Sequence, residues 1–102
     1  LNDQQLNSYL FLLIGAGNDT TRNATTGGVV ALLENPEMRD LLCARPELLE
    51  SATDEILRWT SPVISFLRTV TEDVVLGGTQ LRKDDTVCVF YPSANRDETV
   101  FE

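Results

Sequence analysis

An acid beside a hydroxyl, set in an apolar stretch weakened by glycine, is an arrangement able to hand a proton into a dry pocket. Ala16, Gly17, Asn18, Asp19, Thr20 and Thr21 provide it. A carboxylate can take up and release a proton, and a hydroxyl can accept one and pass one on. The same residues have a plainer use, in which Asp19, Thr20 and Thr21 bond neighbouring carbonyls or solvent. A second pair, Glu55 and Arg58, stands three residues apart, which puts both side chains on one helix face. As an exposed pair it is a common surface feature of little energetic weight. The third candidate, Arg68, follows the apolar run Ile64, Ser65, Phe66 and Leu67. A guanidinium in that setting calls for a bidentate anion such as a carboxylate or phosphate, and one of the sixteen acids of this chain would serve equally. Cys43 and Cys88 lie among apolar residues with no neighbouring cation to favour a thiolate, and read as structural.

These residues need elements to hold them. Asp3, followed by Gln4 and Gln5, is an acceptable helix start. Apolar positions then run through Leu6, Leu10, Leu13, Val29, Val30, Leu32 and Leu33 until Asn35 and Pro36 halt the pattern, so a long helix is expected over residues 3–34. That exceeds the roughly 20 residues of most globular helices. Gly15, Gly17, Gly27 and Gly28 each cost about 1 kcal/mol against alanine in a helix interior. Such a helix requires packing on several sides, and its glycines and back-bonding threonines allow it to bend or open locally. Pro36 suits the first turn of a second helix ending near Ala44. Pro46 opens a third, which carries Leu48, Leu49, Ala52, Ile56, Leu57 and Trp59 as far as Ser61 and Pro62. Residues 36–60 therefore hold two shorter helices. Residues 64–97 read as a β region, with strands at 64–70 and 86–91 enriched in β-branched and aromatic residues. Between them a short Val74–Leu76 arm, a Gly77-Gly78 turn and a Gln80-Leu81 arm complete an antiparallel meander. The fold class is mainly α with a small antiparallel β region, an α+β chain.

Composition removes many other functions. The 102 residues suffice for one domain at most, and the 42% apolar content is too high for a disordered acidic tail. Sixteen acids against eight bases give a net charge of -8, which argues against nucleic acid or an anionic membrane as partner. The absence of histidine excludes a His-dependent triad, an HExxH zinc site and haem ligation by imidazole. No CxxC motif or disulfide framework is visible, so a reducing cytoplasmic setting is the simplest one. The apolar stretch at 9–16 lacks the basic lead-in and cleavage pattern of a signal peptide. It also falls well short of the roughly 20 apolar residues of a spanning helix.

In this order, the motifs resemble those of the cytochrome P-450 family of haem-thiolate monooxygenases, soluble bacterial type. Ala16-Gly17-Asn18-Asp19-Thr20-Thr21 is similar to the oxygen-activation signature [AG]-G-x-[DE]-T-[TS] of that family's long central helix. Glu55-Ile56-Leu57-Arg58 is similar to its E-x-x-R. Arg68, Gly77-Gly78, Asp85 and Ser93-Ala94-Asn95-Arg96-Asp97 are similar to its following β region and strand exit. The likeness covers nearly the whole chain.

The resemblance implies an enzyme, a monooxygenase that uses haem b to hydroxylate an apolar small molecule such as a terpene, an alkyl chain or a sterol-like compound. It assigns Asp19 and Thr20 to proton delivery toward dioxygen. Ala16, Gly17 and Thr20 would form a groove beside the haem, opened by a weakened helix turn, and Arg68 would bind a haem propionate. Ile14 and Gly15 on the helix, with Val63, Ile64 and Phe66 after it, would line the substrate pocket. Glu55 and Arg58 would form a buried structural network with a partner beyond this chain. Electrons would come from NAD(P)H through a ferredoxin reductase and a ferredoxin, with no membrane anchor and no nucleic acid involved.

One departure limits the resemblance. The family's iron ligand is a cysteine in a glycine-rich loop after F-x-x-G-x-x-x-C, and neither Cys43 nor Cys88 stands in such a loop. The expectation is therefore an internal fragment, residues 1–102, of a single longer catalytic domain, inactive in isolation, with its axial ligand outside this chain. The alternative is a small acidic non-catalytic interaction domain whose three motifs are coincidental.

Overall fold

Asn2, rather than the expected Asp3, caps the long helix. Its Oδ1 accepts from the Gln5 backbone N–H at 2.9 Å, while Gln5 Oε1 accepts from the Asn2 N–H at 3.0 Å. Two orphan amides are satisfied by this reciprocal box, and Asp3 falls in the first turn, where an acid suits the helix dipole. The structure, a computed structural model, describes residues 1–101. Its contacts divide the chain into a unit covering Leu1–Pro62 and a second beginning at Val63.

In the first unit, α1 spans Asp3–Glu34, unbroken across all its glycines. Asn35 ends it, and Pro36 starts α2, Pro36–Ala44. The third helix begins later than its proline: Pro46–Leu48 form a 3-10 turn that leads into α3, Leu49–Thr60. Ser61 then adopts φ 42°, a left-handed C-cap, before Pro62. Helix α3 packs against α1, and the buried residues of α1 are Ala24 and Gly28.

In the second unit, β1 (Ser65–Thr69) pairs antiparallel with β4 (Thr86–Phe90), Phe66 opposite Val89 and Arg68 opposite Val87. β2 (Val74–Leu76) pairs only with β3 (Thr79–Leu81). The expected meander is thus two separate two-stranded sheets. Gly77 and Gly78, both at positive φ, close the β2–β3 hairpin on itself. Val70 and Asp85 carry the other ladder one step further, the Val70 N–H donating to Asp85 at 2.9 Å. Tyr91 leaves the strand and starts a short helix α4, Tyr91–Asn95, because Pro92 cannot extend a ladder but is tolerated in a first helical turn.

The mainly helical class with small antiparallel sheets is as expected. Burial is sparse. Among the described residues Ala24 is the only buried apolar side chain, while Phe11 is 81% and Ile14 69% exposed. Cys43 and Cys88, read as structural, are free and exposed in this chain. No helix of the described residues is long and apolar enough to cross a membrane.

Asp84 sits at φ 71° in the turn before β4, where its N–H donates to Val70 at 2.8 Å. Left-handed backbone penalises a Cβ, most of all a branched one. Asp84→Val is expected to cost about 1–2 kcal/mol and Asp84→Gly to be neutral or slightly stabilising, measured by thermal unfolding.

Candidate active site

The signature stretch lies within the unbroken span of α1. Thr20 Oγ1 donates to the Ala16 carbonyl at 2.8 Å, and Thr25 repeats the bond to Thr21 at 2.8 Å. Asp19 is paired with Arg22 at 2.8 Å, both side chains about two-thirds exposed. No hydrogen bond joins Asp19 to Thr20, since successive helical residues point about 100° apart. These are the plainer roles allowed by the sequence. The helix runs unbroken through Ala16 and Gly17, and the Thr20 hydroxyl bond to the Ala16 carbonyl is of the kind that accompanies local bending. A Cβ built at Gly15 or Gly17 would still meet nothing within 4 Å, so open space lies beside this part of α1.

Thr20 is half-buried, and it stands in a cleft of about 310 Å³ within the first unit. Thr20, Thr21, Ala24 and Thr25 form one wall; Thr53, Ile56, Leu57 and Pro62 form the other. Thr25 was recoverable from its i, i+4 relation to Thr21. Nothing in the sequence pointed to Thr53 or Leu57, which reach the cleft only through the packing of α3 on α1. A larger apolar groove of about 470 Å³ runs between the C-terminal part of α1, α2 and α3, lined by Leu32, Met38, Leu42, Leu48 and Trp59, with Glu55 also on its lining.

Glu55 and Arg58 form the expected pair. Arg58 Nε donates to Glu55 Oε2 at 2.7 Å, and Nη2 bonds the other carboxylate oxygen, a bidentate fork. Within this chain the Glu55 side chain is 57% exposed and the Arg58 side chain 19%, and the network implied by the resemblance includes a partner beyond it.

In the second unit, Arg68 donates to the Leu67 carbonyl at 2.9 Å and its guanidinium carbon lies 5.7 Å from the centre of the Phe66 ring. Phe66 in turn meets Tyr91 edge-on, with centroids 6.2 Å apart and ring planes at 85°. The i, i+2 spacing on β1 puts Phe66 and Arg68 on one face. Tyr91 was missed by sequence reasoning, which took it for the end of a strand. Among the described residues Arg68 forms no ion pair with a carboxylate, so the sixteen acids do not supply its anion here. Of the expected pocket residues, Ile64 is 62% and Phe66 52% exposed, and Val63 is half-buried. Ile14 and Gly15 belong to the first unit and these three to the second.

The Glu55 carboxyl is held below its ordinary value of 4.5, chiefly by the hydrogen bond from Arg58, with slight burial opposing. A lowered folded-state value stabilises the fold above the unfolded value, and that contribution is lost as pH falls through the lowered one. Glu55→Gln keeps the shape and removes the titration. The acid limb of thermal stability, followed from about pH 6 to about pH 3, should be shallower in Glu55→Gln than in the parent. Equal slopes would show that the pair contributes nothing.

The Cytochrome P450 family profile matches residues 1–102. The chain is 46% identical over 102 residues to a steroid C26-monooxygenase of Mycolicibacterium smegmatis, covering 100% of this chain and 23% of that protein. It is likewise 46% identical to a methyl-branched lipid omega-hydroxylase of Mycobacterium bovis, covering 99% of this chain and 24% of the relative. The chain therefore spans about a quarter of the curated relatives it matches. A Mycobacterium marinum cytochrome P450 solved with pseudoionone superposes with a TM-score of 0.96 at 38% identity, over 100% of this chain and 25% of that one. The profile match along its full length, with the signature on α1, the E-x-x-R pair on α3 and an arginine on β1, makes this chain a member of the cytochrome P450 family.

Proposed function

We propose that the chain is an internal portion of one haem-dependent monooxygenase domain that hydroxylates an apolar small molecule. In this reading residues 3–34 are the central helix, 36–60 two shorter helices and 64–97 the β region of that domain. The coverage of about a quarter of each relative supports this. Relatives named for a steroid and for a methyl-branched lipid support an apolar substrate of the terpene, alkyl or sterol-like kind.

The observation that carries the reading is Arg68. A guanidinium laid over an aromatic ring, on a strand of a strongly acidic chain, yet paired with no carboxylate among the described residues, suits an anionic group from outside the chain. A haem propionate has that chemistry, and the residues fit it. When bound, the haem supplies the iron that activates dioxygen, its thiolate ligand being a cysteine outside this chain. Arg68 holds the propionate. Ala16 and Gly17 border the open side of α1 without side-chain bulk.

Thr20 Oγ1 holds the mobile proton. A threonine in a helix has two accessible χ1 wells, so the hydroxyl can leave the Ala16 carbonyl and donate away from its own helix. Asp19, at the solvent side, takes up protons when it parts from Arg22. Ile14 and Gly15 in the first unit, and Val63, Ile64 and Phe66 in the second, each offer surface suited to an apolar substrate. Electrons from NAD(P)H arrive through a ferredoxin reductase and a ferredoxin, in the cytoplasm.

A self-contained acidic interaction domain is disfavoured by the packing, because the described residues bury one apolar side chain, Ala24.

In the complete haem-loaded protein, Thr20→Ala should retain haem but divert consumed oxygen into peroxide by severalfold, read as peroxide formed per NAD(P)H. Unchanged coupling would remove Thr20 from proton delivery. Arg68→Leu should lower haem retention at least tenfold, the scale of a lost charged hydrogen bond, measured by absorbance after gel filtration. Full retention would assign the propionate elsewhere.

A further inference from the structure

Two glycines of α1 are used for close approach. A Cβ built at Gly27 would lie 2.6 Å from Thr60 Cγ2, and one at Gly28 would lie 2.7 Å from Ile56 Cγ2. Carbon atoms in contact prefer about 3.5–4.0 Å, so a methyl at either position would push α3 back by about 1 Å. The neighbours yield only at a cost. Ile56 is β-branched and stiff at χ1 in a helix, and Thr60 could turn its methyl away only by giving up the bond its hydroxyl donates to the Ile56 carbonyl at 2.8 Å.

Thr20, Ala24 and Gly28 form one i, i+4 row along α1, with Gly27 beside it. The row is small throughout, and it contains both buried residues of the helix. Ile56 touches Gly28 and also lines the cleft that contains Thr20. The glycine contact and the cleft therefore share a wall.

We propose that Gly27 and Gly28 are positioning residues, which set the α1–α3 spacing and through Ile56 fix the width of the cleft at Thr20. Its bearing on the reaction rests on the role of Thr20 given above. A shift of about 1 Å at a proton-delivering group is enough to lower a reaction rate substantially. A wider cleft also admits water beside the Thr20 hydroxyl.

The test is a double-mutant cycle in the complete haem-loaded protein. Gly27→Ala adds the methyl, and Thr60→Ser removes the one it strikes while keeping the hydroxyl. Gly27→Ala should lower Tm by several degrees and raise peroxide per NAD(P)H at least threefold. Thr60→Ser alone should change both little, and the double variant should recover at least half of each loss. The proposal is overturned if the double variant is no better than Gly27→Ala. It is also overturned if Tm responds and is rescued while peroxide stays at the parent level and Thr20→Ala raises it. Should Thr20→Ala leave peroxide unchanged, the role of Thr20 is what fails, and the Tm cycle alone decides whether the glycines set the spacing. If Gly27→Ala yields no folded protein, the double variant must fold; failure of both overturns the steric argument.

Discussion

The first unit depends on one contact, the row of small residues on α1 against the branched side chains of α3. It is the place in α1 where side chains are buried, and without it the helix would have little to hold it. A helix of 32 residues carrying four internal glycines is not stable by propensity. Small residues let two backbones approach, and close approach multiplies the weak dispersion contacts that each side chain makes. The bidentate Glu55–Arg58 pair lies on the same α3 and depends on that helix being held in place.

Much of this was legible in the residues. Asn35-Pro36 stops α1 because the residue before a proline avoids helical backbone, and Pro36 starts α2 for the converse reason. The strands announced themselves through branched and aromatic residues. The errors have physical causes. Asn2 and Gln5 contain a capping box that the acid at position 3 obscured. The Gly77-Gly78 turn closes a hairpin, but which strands pair beyond it depends on the ladder through Val70 and Asp85, a contact distant in sequence.

The candidate site divides along the same line. Asp19, Thr20, Glu55, Arg58 and Arg68 could be singled out by type and spacing, since each belongs to a local pattern. Thr53, Leu57 and Tyr91 could not, because they reach their places through helix packing or a strand exit. The pairing of Asp19 with Arg22 was readable as an i, i+3 pair, and it turns the acid to solvent while Thr20 lies against α3. The hydroxyl bond from Thr20 to Ala16 is the i, i−4 back-bond that its residue type and helical setting lead one to expect.

The bare N-terminal half of α1 has a consequence for producing these residues by themselves. Tyr9, Leu10, Phe11, Leu12, Leu13 and Ile14 are exposed in the 102-residue chain. Expressed without the remainder of the domain, so long an apolar surface invites self-association and inclusion bodies.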